Sequence, residues 1–384
     1  MSEANNSELT SKEIEENEFF GLNIFPVEGE IAKSHKEFLD HYRKGRNKAM
    51  IITLVTIELI VVVIGISFML GRYQVPVGDV IKILLSKLKI FGITQTWDSV
   101  SEKVVLSIRI PRILAAVAVG SALAFSGGTY QSLFRNPMVS PDILGASAGA
   151  SFGACLVMIL FGQNAVLVQA AAFVFGLVAV GFSYFLSKAV GRGNNMILLL
   201  VLCGMTVNTL FNAGVSIIKY LADTEDTLPA ITYWLMGSIA KVSYSDLLFF
   251  LFPFLLGIIP VLCLRWKLNI MAFGEDEAKA MGVNVSTVRG ICVVCSTLLT
   301  SAVVSIAGTI GWVGLMIPHL VRFIVGPDNK RLLPMSALVG ALFMLIVDNV
   351  CRTVLAYEIP LGVLTSIIGA PFFIAILWKR KGED

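Results

Sequence analysis

The sequence predicts an all-α protein that crosses a membrane about ten times. Three observations carry that reading. The chain of 384 residues is 56% hydrophobic and 15% charged, against roughly 45–50% apolar in an ordinary soluble domain, and its mean hydropathy is +0.79. Apolar runs of span length recur from residue 50 onward, separated by short breaks rich in Gly, Pro and charge. Strand-length alternation of apolar and polar residues is absent, which argues against a membrane barrel.

In order, the candidate spans are 50–70, 104–125, 143–161, 166–186, 196–221, 247–264, 288–307, 311–325, 332–350 and 361–378. Basic residues set their orientation. Arg43, Lys44, Arg46 and Lys48 precede the first span, Lys188 and Arg192 follow the fourth, and Arg265 and Lys267 follow the sixth. Lys330 and Arg331 precede the ninth, and Lys379, Arg380 and Lys381 close the chain. An even span count puts all of these on one side, which the positive-inside rule makes cytoplasmic, with both termini inside. The first outer loop, 71–103, carries several lysines and runs against the bias. The expectation is a multi-pass protein of the cytoplasmic (inner) membrane.

Two regions follow. Residues 1–48 form an acid-rich N-terminal stretch expected to be flexible or to lie on the membrane through "FFGLNIF". A secretory signal would place its apolar core near residue ten, so the first apolar run is read as a retained span. Residues 49–381 form the ten-helix domain. The six cysteines all lie in apolar stretches and read as small hydrophobes, and no set of metal ligands or cofactor motif appears. Nothing suggests nucleic acid as a partner.

Ionisable residues within spans are few, Glu58, His319 and Asp348; each is costly in membrane lipid and so reads as a site candidate or a helix-bridging group. Asn208 and Asn212, one turn apart, line a polar path or bond between helices. On the outer side Arg109 and Arg112 flank Pro111, and Arg352 follows the ninth span. Either they reach to lipid headgroups or they meet an acidic protein partner. The chain lacks a Walker A sequence, since Gly-Lys occurs nowhere in it. Were transport driven by ATP, another chain would bind the nucleotide.

The stretch "GEDEAKAMGVNV" is predicted to form a two-turn cytoplasmic helix at 274–282. Glu275, Asp276 and Glu277 suit the helix N-terminus, and Ala278, Lys279, Ala280 and Met281 extend it. Glu275 and Lys279 are spaced to pair, while Gly274 and Gly282 frame the ends. So short a helix is unstable alone and must dock, on its own bundle or elsewhere. A faint echo links "SGGTYQSLFRNPMVSPDILGASAGA" to "AGTIGWVGLMIPHLVRFIVGPDNKRLLPMSALVGA". An odd number of spans separates the two, so equivalence would mean an inverted repeat.

With these segments in view, the chain resembles the permease subunit of type II ABC importers, the family that takes up iron-siderophores, haem and vitamin B12. Besides the stretches quoted, "RIPRILAAVAVGSALAF" and "EIPLGVLTSIIGAPFFIAIL" stand in the family's order. The resemblance implies the type II permease fold and a permease dimer, of two copies or of related chains. It also implies two cytoplasmic ATPase subunits and an external substrate-binding protein, with no catalytic residue in this chain. Residues 274–282 would be the ATPase-coupling helix, Arg109, Arg112 and Arg352 the binding-protein docking residues, and Met205, Asn208 and Thr365 part of the pathway. An iron-siderophore or related chelate is the expected cargo, with haem or a corrinoid as alternatives. An ion-coupled secondary transporter is the alternative of another class. The acidic stretch at 1–48 is not part of the family pattern.

Overall fold

A computed structural model describes residues 28–87, 95–191 and 196–381. The chain divides into two units, Met1–Ile52 and Thr53–Asp384, and the helical bundle lies in the second. The first helix, α1, runs Glu28–Met69. Residues 28–48 are therefore helical rather than irregular, and the rest of the expected tail, 1–27, lies outside the described residues.

There follow α2 (Val77–Lys87), α3 (Ser99–Leu133, with a π-helical stretch Val104–Arg109) and a 3-10 turn, Pro141–Leu144. Then come α4 (Ala146–Phe161), α5 (Ala165–Val190), α6 (Met196–Leu221), α7 (Thr227–Leu235) and α8 (Tyr244–Met271). The chain closes with α9 (Glu275–Ala280), α10 (Val285–Ala307), α11 (Val313–Val325), α12 (Asn329–Thr353) and α13 (Leu361–Lys381). No strand occurs among the described residues. Among the described residues seven apolar segments are long enough to cross a membrane, and shorter apolar segments of α4, α11 and α13 complete the expected ten. Helices α2 and α7 were not anticipated. Each is too short to register as a span, although α2 buries Val80 and Ile83 one turn apart.

Side-chain caps set several helix starts. Asn164, Asn284 and Asp328 accept from backbone N–H groups of α5, α10 and α12, and Ser243 with Asp246 forms a reciprocal capping box on α8.

Burial ranks the helices. In its most apolar window α10 is 78% buried inside the chain and α1 only 6%, so α10 is central and α1 lies at the lipid-facing edge. The core helices meet backbone to backbone. A Cβ placed on Gly120 would lie 2.2 Å from the Gly340 carbonyl oxygen, and one on Gly127 would lie 1.7 Å from that of Gly314. Hydroxyls bind α3 to α10: Ser126 Oγ lies 3.1 Å from Ser296 O and from Thr300 Oγ1, and Tyr130 Oη lies 3.2 Å from Thr297 Oγ1. Lipid supplies no hydrophobic drive between helices, so close packing and hydrogen bonds of this kind hold the bundle.

The packing is reciprocal. α3 rests on α11 and α12 from the second half, α10 rests on α4 and α5 from the first, and α3 and α10 meet. As the second and seventh spans they run in opposite directions, which makes the repeat an inverted one.

At one end three junctions share backbone bonds. Ser238 N donates to Ala307 O at 2.7 Å, Leu361 N to Gly237 O at 2.9 Å and Gly362 N to Met236 O at 3.0 Å. The C-terminal end of α7 is thereby tied to the end of α10 and the start of α13.

The glycine contacts give a direct test. Gly127→Val should cost about 3 kcal/mol or more, because the obstruction is backbone and cannot repack. Gly181→Ala, whose added Cβ meets nothing within 4 Å, should be neutral or stabilise slightly through helix propensity. Thermal unfolding of the detergent-solubilised protein by size-exclusion assay separates the two outcomes.

Candidate functional site

Helix α9 shares one end of the bundle with the α3–α4 and α11–α12 turns: Phe134, Arg135 and Asn136 line one groove with Glu275 and Lys279, and Asn269 at the end of α8 bonds to Asp328. Helix α9 is Glu275–Ala280, slightly shorter than the expected 274–282. Its C-terminus closes as expected: Val283 N donates to Ala278 O and Gly282 N to Lys279 O, both at 2.9 Å, with Gly282 at φ +78. That is the Schellman pattern, which needs a left-handed residue at the glycine position. The expected Glu275–Lys279 pair is not formed. Lys279 Nζ instead lies 3.0 Å from Asp276 Oδ1, and Glu275 accepts from the buried Arg289 of α10. Competition explains the switch, since a desolvated guanidinium binds a carboxylate more strongly than a solvated ammonium does.

The helix therefore has two faces. Ala278, Val283 and Val285 are buried against the bundle, so the short helix docks first on its own chain. Phe273 is 73% exposed, and Met281 and Asp276 also face out. Beside it lies a groove of about 550 Å³ lined by Phe134, Arg135, Asn136, Val201, Glu275 and Lys279, among others. Arg135 holds a left-handed backbone at φ +52, an uncommon state for a residue with a side chain. A polar chain braces this end: Asn269 Nδ2 donates to Asp328 Oδ1 at 2.6 Å, Asn329 N to Asn269 Oδ1 at 2.8 Å, and Ser132 Oγ to Asn329 Oδ1.

The three pathway candidates separate. Met205 is exposed on α6 and Asn208 is half-buried, but Thr365 is fully buried and bonds to Gly362 O at 3.2 Å. Thr365 therefore does not line an open surface. On α13 the exposed positions are apolar ones such as Val363 and Ile367. Asn208 Nδ2 donates to Asp142 O at 3.4 Å, and Asn212 Nδ2 donates to Asn208 Oδ1. Burial pushes the Asp142 carboxyl above its ordinary range, and a hydrogen bond from Ser147 partly offsets this. Thr206, Thr209, Asn212 and Ser216 form an exposed polar stripe on α6, their hydroxyls satisfied by the helix itself.

At the opposite end the arginines have partners within the chain. Arg109 donates to Phe68 O and Tyr73 O. Arg112 lies 2.8 Å from both Asp348 Oδ1 and Glu358 Oε1. Arg352 donates to Ser67 O at 2.8 Å and to Asn349 Oδ1. All three are buried and form an internal brace across α1, α3 and α12. Asp348 is likewise buried and serves as counter-ion to Arg112 and Arg352, whereas Glu58 is exposed on α1 and His319 is buried on α11. Sequence reasoning missed Glu358 and Arg289. Arg289 had a readable signal, a charge one turn inside an apolar run, whereas Glu358 is remote in sequence from Arg112.

A model described as the FecCD transport family matches residues 59–379. The chain belongs to that family. This FecCD chain is 42% identical over 324 residues to the molybdate import system permease protein MolB of Haemophilus influenzae, covering 84% of the chain and 94% of that relative. It is 36% identical over 284 residues to the hemin transport system permease protein HmuU of Yersinia pestis, covering 72% and 84%. A solved inward-facing structure of a metal-chelate type ABC transporter superposes with a TM-score of 0.75 at 39% identity, covering 85% of the FecCD chain and 99% of the other. The FecCD chain is thus a multi-pass permease subunit of an ABC importer, with the permease fold of that class.

The buried ion cluster makes a prediction of sign. Asp348→Leu alone should destabilise this permease by about 3–5 kcal/mol, by leaving buried Arg352 without a carboxylate and Arg112 with Glu358 alone. Adding Arg112→Met should recover part of that loss. A double-mutant cycle on thermal unfolding in detergent checks the coupling, and strict additivity would show that the pair does not interact.

Proposed function

We propose that this FecCD permease carries an iron-siderophore or similar metal chelate from an external binding protein into the cytoplasm, driven by two ATPase subunits that press on α9. Haem and corrinoid cargo are the near alternatives. The observation that carries the coupling role is the two-faced α9: one face is fixed to the bundle through Ala278, Val283 and the Glu275–Arg289 pair, and the other offers Phe273, Asp276 and Met281 to solvent. A helix seated this way transmits a push to α10, the most buried span. The basic flanks put α9 and both termini in the cytoplasm.

Alternating access is the mechanism this supports. Two permease subunits, copies or related chains, would enclose a cavity, and ATP-driven closure of the ATPases would tilt the bundle through α9. The polar stripe of α6, with Met205 and Asn208 beside it, is the surface on this chain suited to face that cavity. Between residues 205 and 217 it carries no charged residue. Neutral hydroxyl and amide groups suit a large chelate that buries its own metal charge, and they offer no fixed cation to hold a bare oxyanion. The external binding protein would meet the arginine end through the exposed loops that Arg109, Arg112 and Arg352 brace from beneath.

Phe273→Ala combined with Asp276→Lys should abolish coupled uptake and stimulated ATPase activity while leaving membrane insertion unchanged. Proteoliposomes holding permease, ATPase and binding protein measure both, and wild-type stimulation in the variant would sink the assignment of α9. In the same vesicles uptake of a ferric siderophore should exceed that of molybdate. Uptake by the isolated chain under an ion gradient, without ATPase, would mark a secondary carrier instead.

A further inference from the structure

Opposite α9 a cleft of about 690 Å³ lies between the turn after α1 and the end of α12, lined by Met69, Leu70, Arg72, Val75, Arg352 and Leu355, among others. Arg352 forms its inner wall. Only 5% exposed, it bonds to Ser67 O and Asn349 through Nη2, while its Nε has no hydrogen-bond partner and stands 3.7 Å from Asp348 Oδ2. Asp348 and Glu358 are both bonded to Arg112. The carboxylates here are therefore shared among more guanidinium groups than they can neutralise, since Arg109 has only backbone carbonyl partners. Arg72, exposed at the rim, adds a further positive charge.

The surroundings of the cleft are apolar. Met69, Leu70, Val354, Leu355 and Tyr357 are exposed around it, and the adjoining face of α1 exposes Val62 and Ile66 along a helix that buries almost nothing within the chain. Apolar side chains with arginine and tyrosine at a helix end match the depth at which lipid headgroups meet water. An anion reaching Arg352 must enter from the membrane flank on a flexible tether and leave hydrocarbon behind it.

We propose that this cleft binds the phosphate of an anionic phospholipid between Arg72 and Arg352, with the acyl chains lying along the exposed face of α1. The site is independent of the cargo and of the coupling at α9. Arg109 is a positioning residue for it, because its bonds to Phe68 O and Tyr73 O fix the turn that forms one wall.

Native mass spectrometry of the permease, co-purified with its ATPase subunits and supplied with phosphatidylglycerol, tests this. The wild type should retain the lipid about fivefold more strongly than Arg72→Gln, the change expected for one arginine at a membrane surface. Diacylglycerol with the same chains should not be retained, and millimolar inorganic phosphate should not displace the phospholipid. Ala356→Trp, which fills the cleft at an exposed position, should also lower retention without touching the ion cluster. Equal retention by wild type, Arg72→Gln and Ala356→Trp overturns the proposal. Displacement by phosphate alone would assign the cleft to a free anion. Weakened capture of the external binding protein by Arg72→Gln, with lipid retention unchanged, would assign it to an acidic protein surface.

Discussion

The fold depends on how closely α3 can approach α11 and α12. At Gly120 with Gly340, and at Gly127 with Gly314, main chain touches main chain, leaving no room for even a methyl group. In a bilayer, exclusion from lipid gives helices little reason to associate, so contact area and satisfied hydrogen bonds must do so. Bringing the backbones together lets the hydroxyls of Ser126 and Tyr130 reach α10 at hydrogen-bonding distance. The two halves of the repeat are thus joined through a polar-stitched seam, with Phe125, Tyr130 and Leu299 buried beside it.

Much of this arrangement could be read before any coordinates. Span-length apolar runs showed the ten apolar helices, and Gly282 after a run of helix formers showed where α9 stops. Less legible was anything decided by partners distant in sequence. Nothing local shows that an arginine pairs with an acid on a span remote in sequence, as Arg112 does with Asp348, or with one beyond that span, as it does with Glu358. Glu275 illustrates the same limit at short range: spacing favoured Lys279, but burial of Arg289 outweighed it. The burial of Thr365 was hidden for a simpler reason, since residues on one helix alternate between core and outside every few positions and span-level reading does not fix the phase. The short helices α2 and α7 escaped because a search for apolar runs of about 20 residues does not resolve elements of 11 and 9 residues.

The two ends of the bundle handle charge in different ways. Around α9, acids and amides cap helix starts and leave a solvent-facing surface with both apolar and charged groups. At the other end the charges point inward and hold α1, α3 and α12 together. Desolvating several ions in one place is expensive unless each has a partner, and the arrangement meets that condition by sharing Asp348 between Arg112 and Arg352. Such sharing makes the end stiff, because no one bond can be lost without exposing the others.

The junction of α7, α10 and α13 has a consequence of its own. Main-chain hydrogen bonds join Ser238 to Ala307, Leu361 to Gly237 and Gly362 to Met236, each within the narrow range of a well-formed bond. Three chain segments remote in sequence therefore form one rivet, and whatever deformation the bundle undergoes has to bend the helix shafts beneath it.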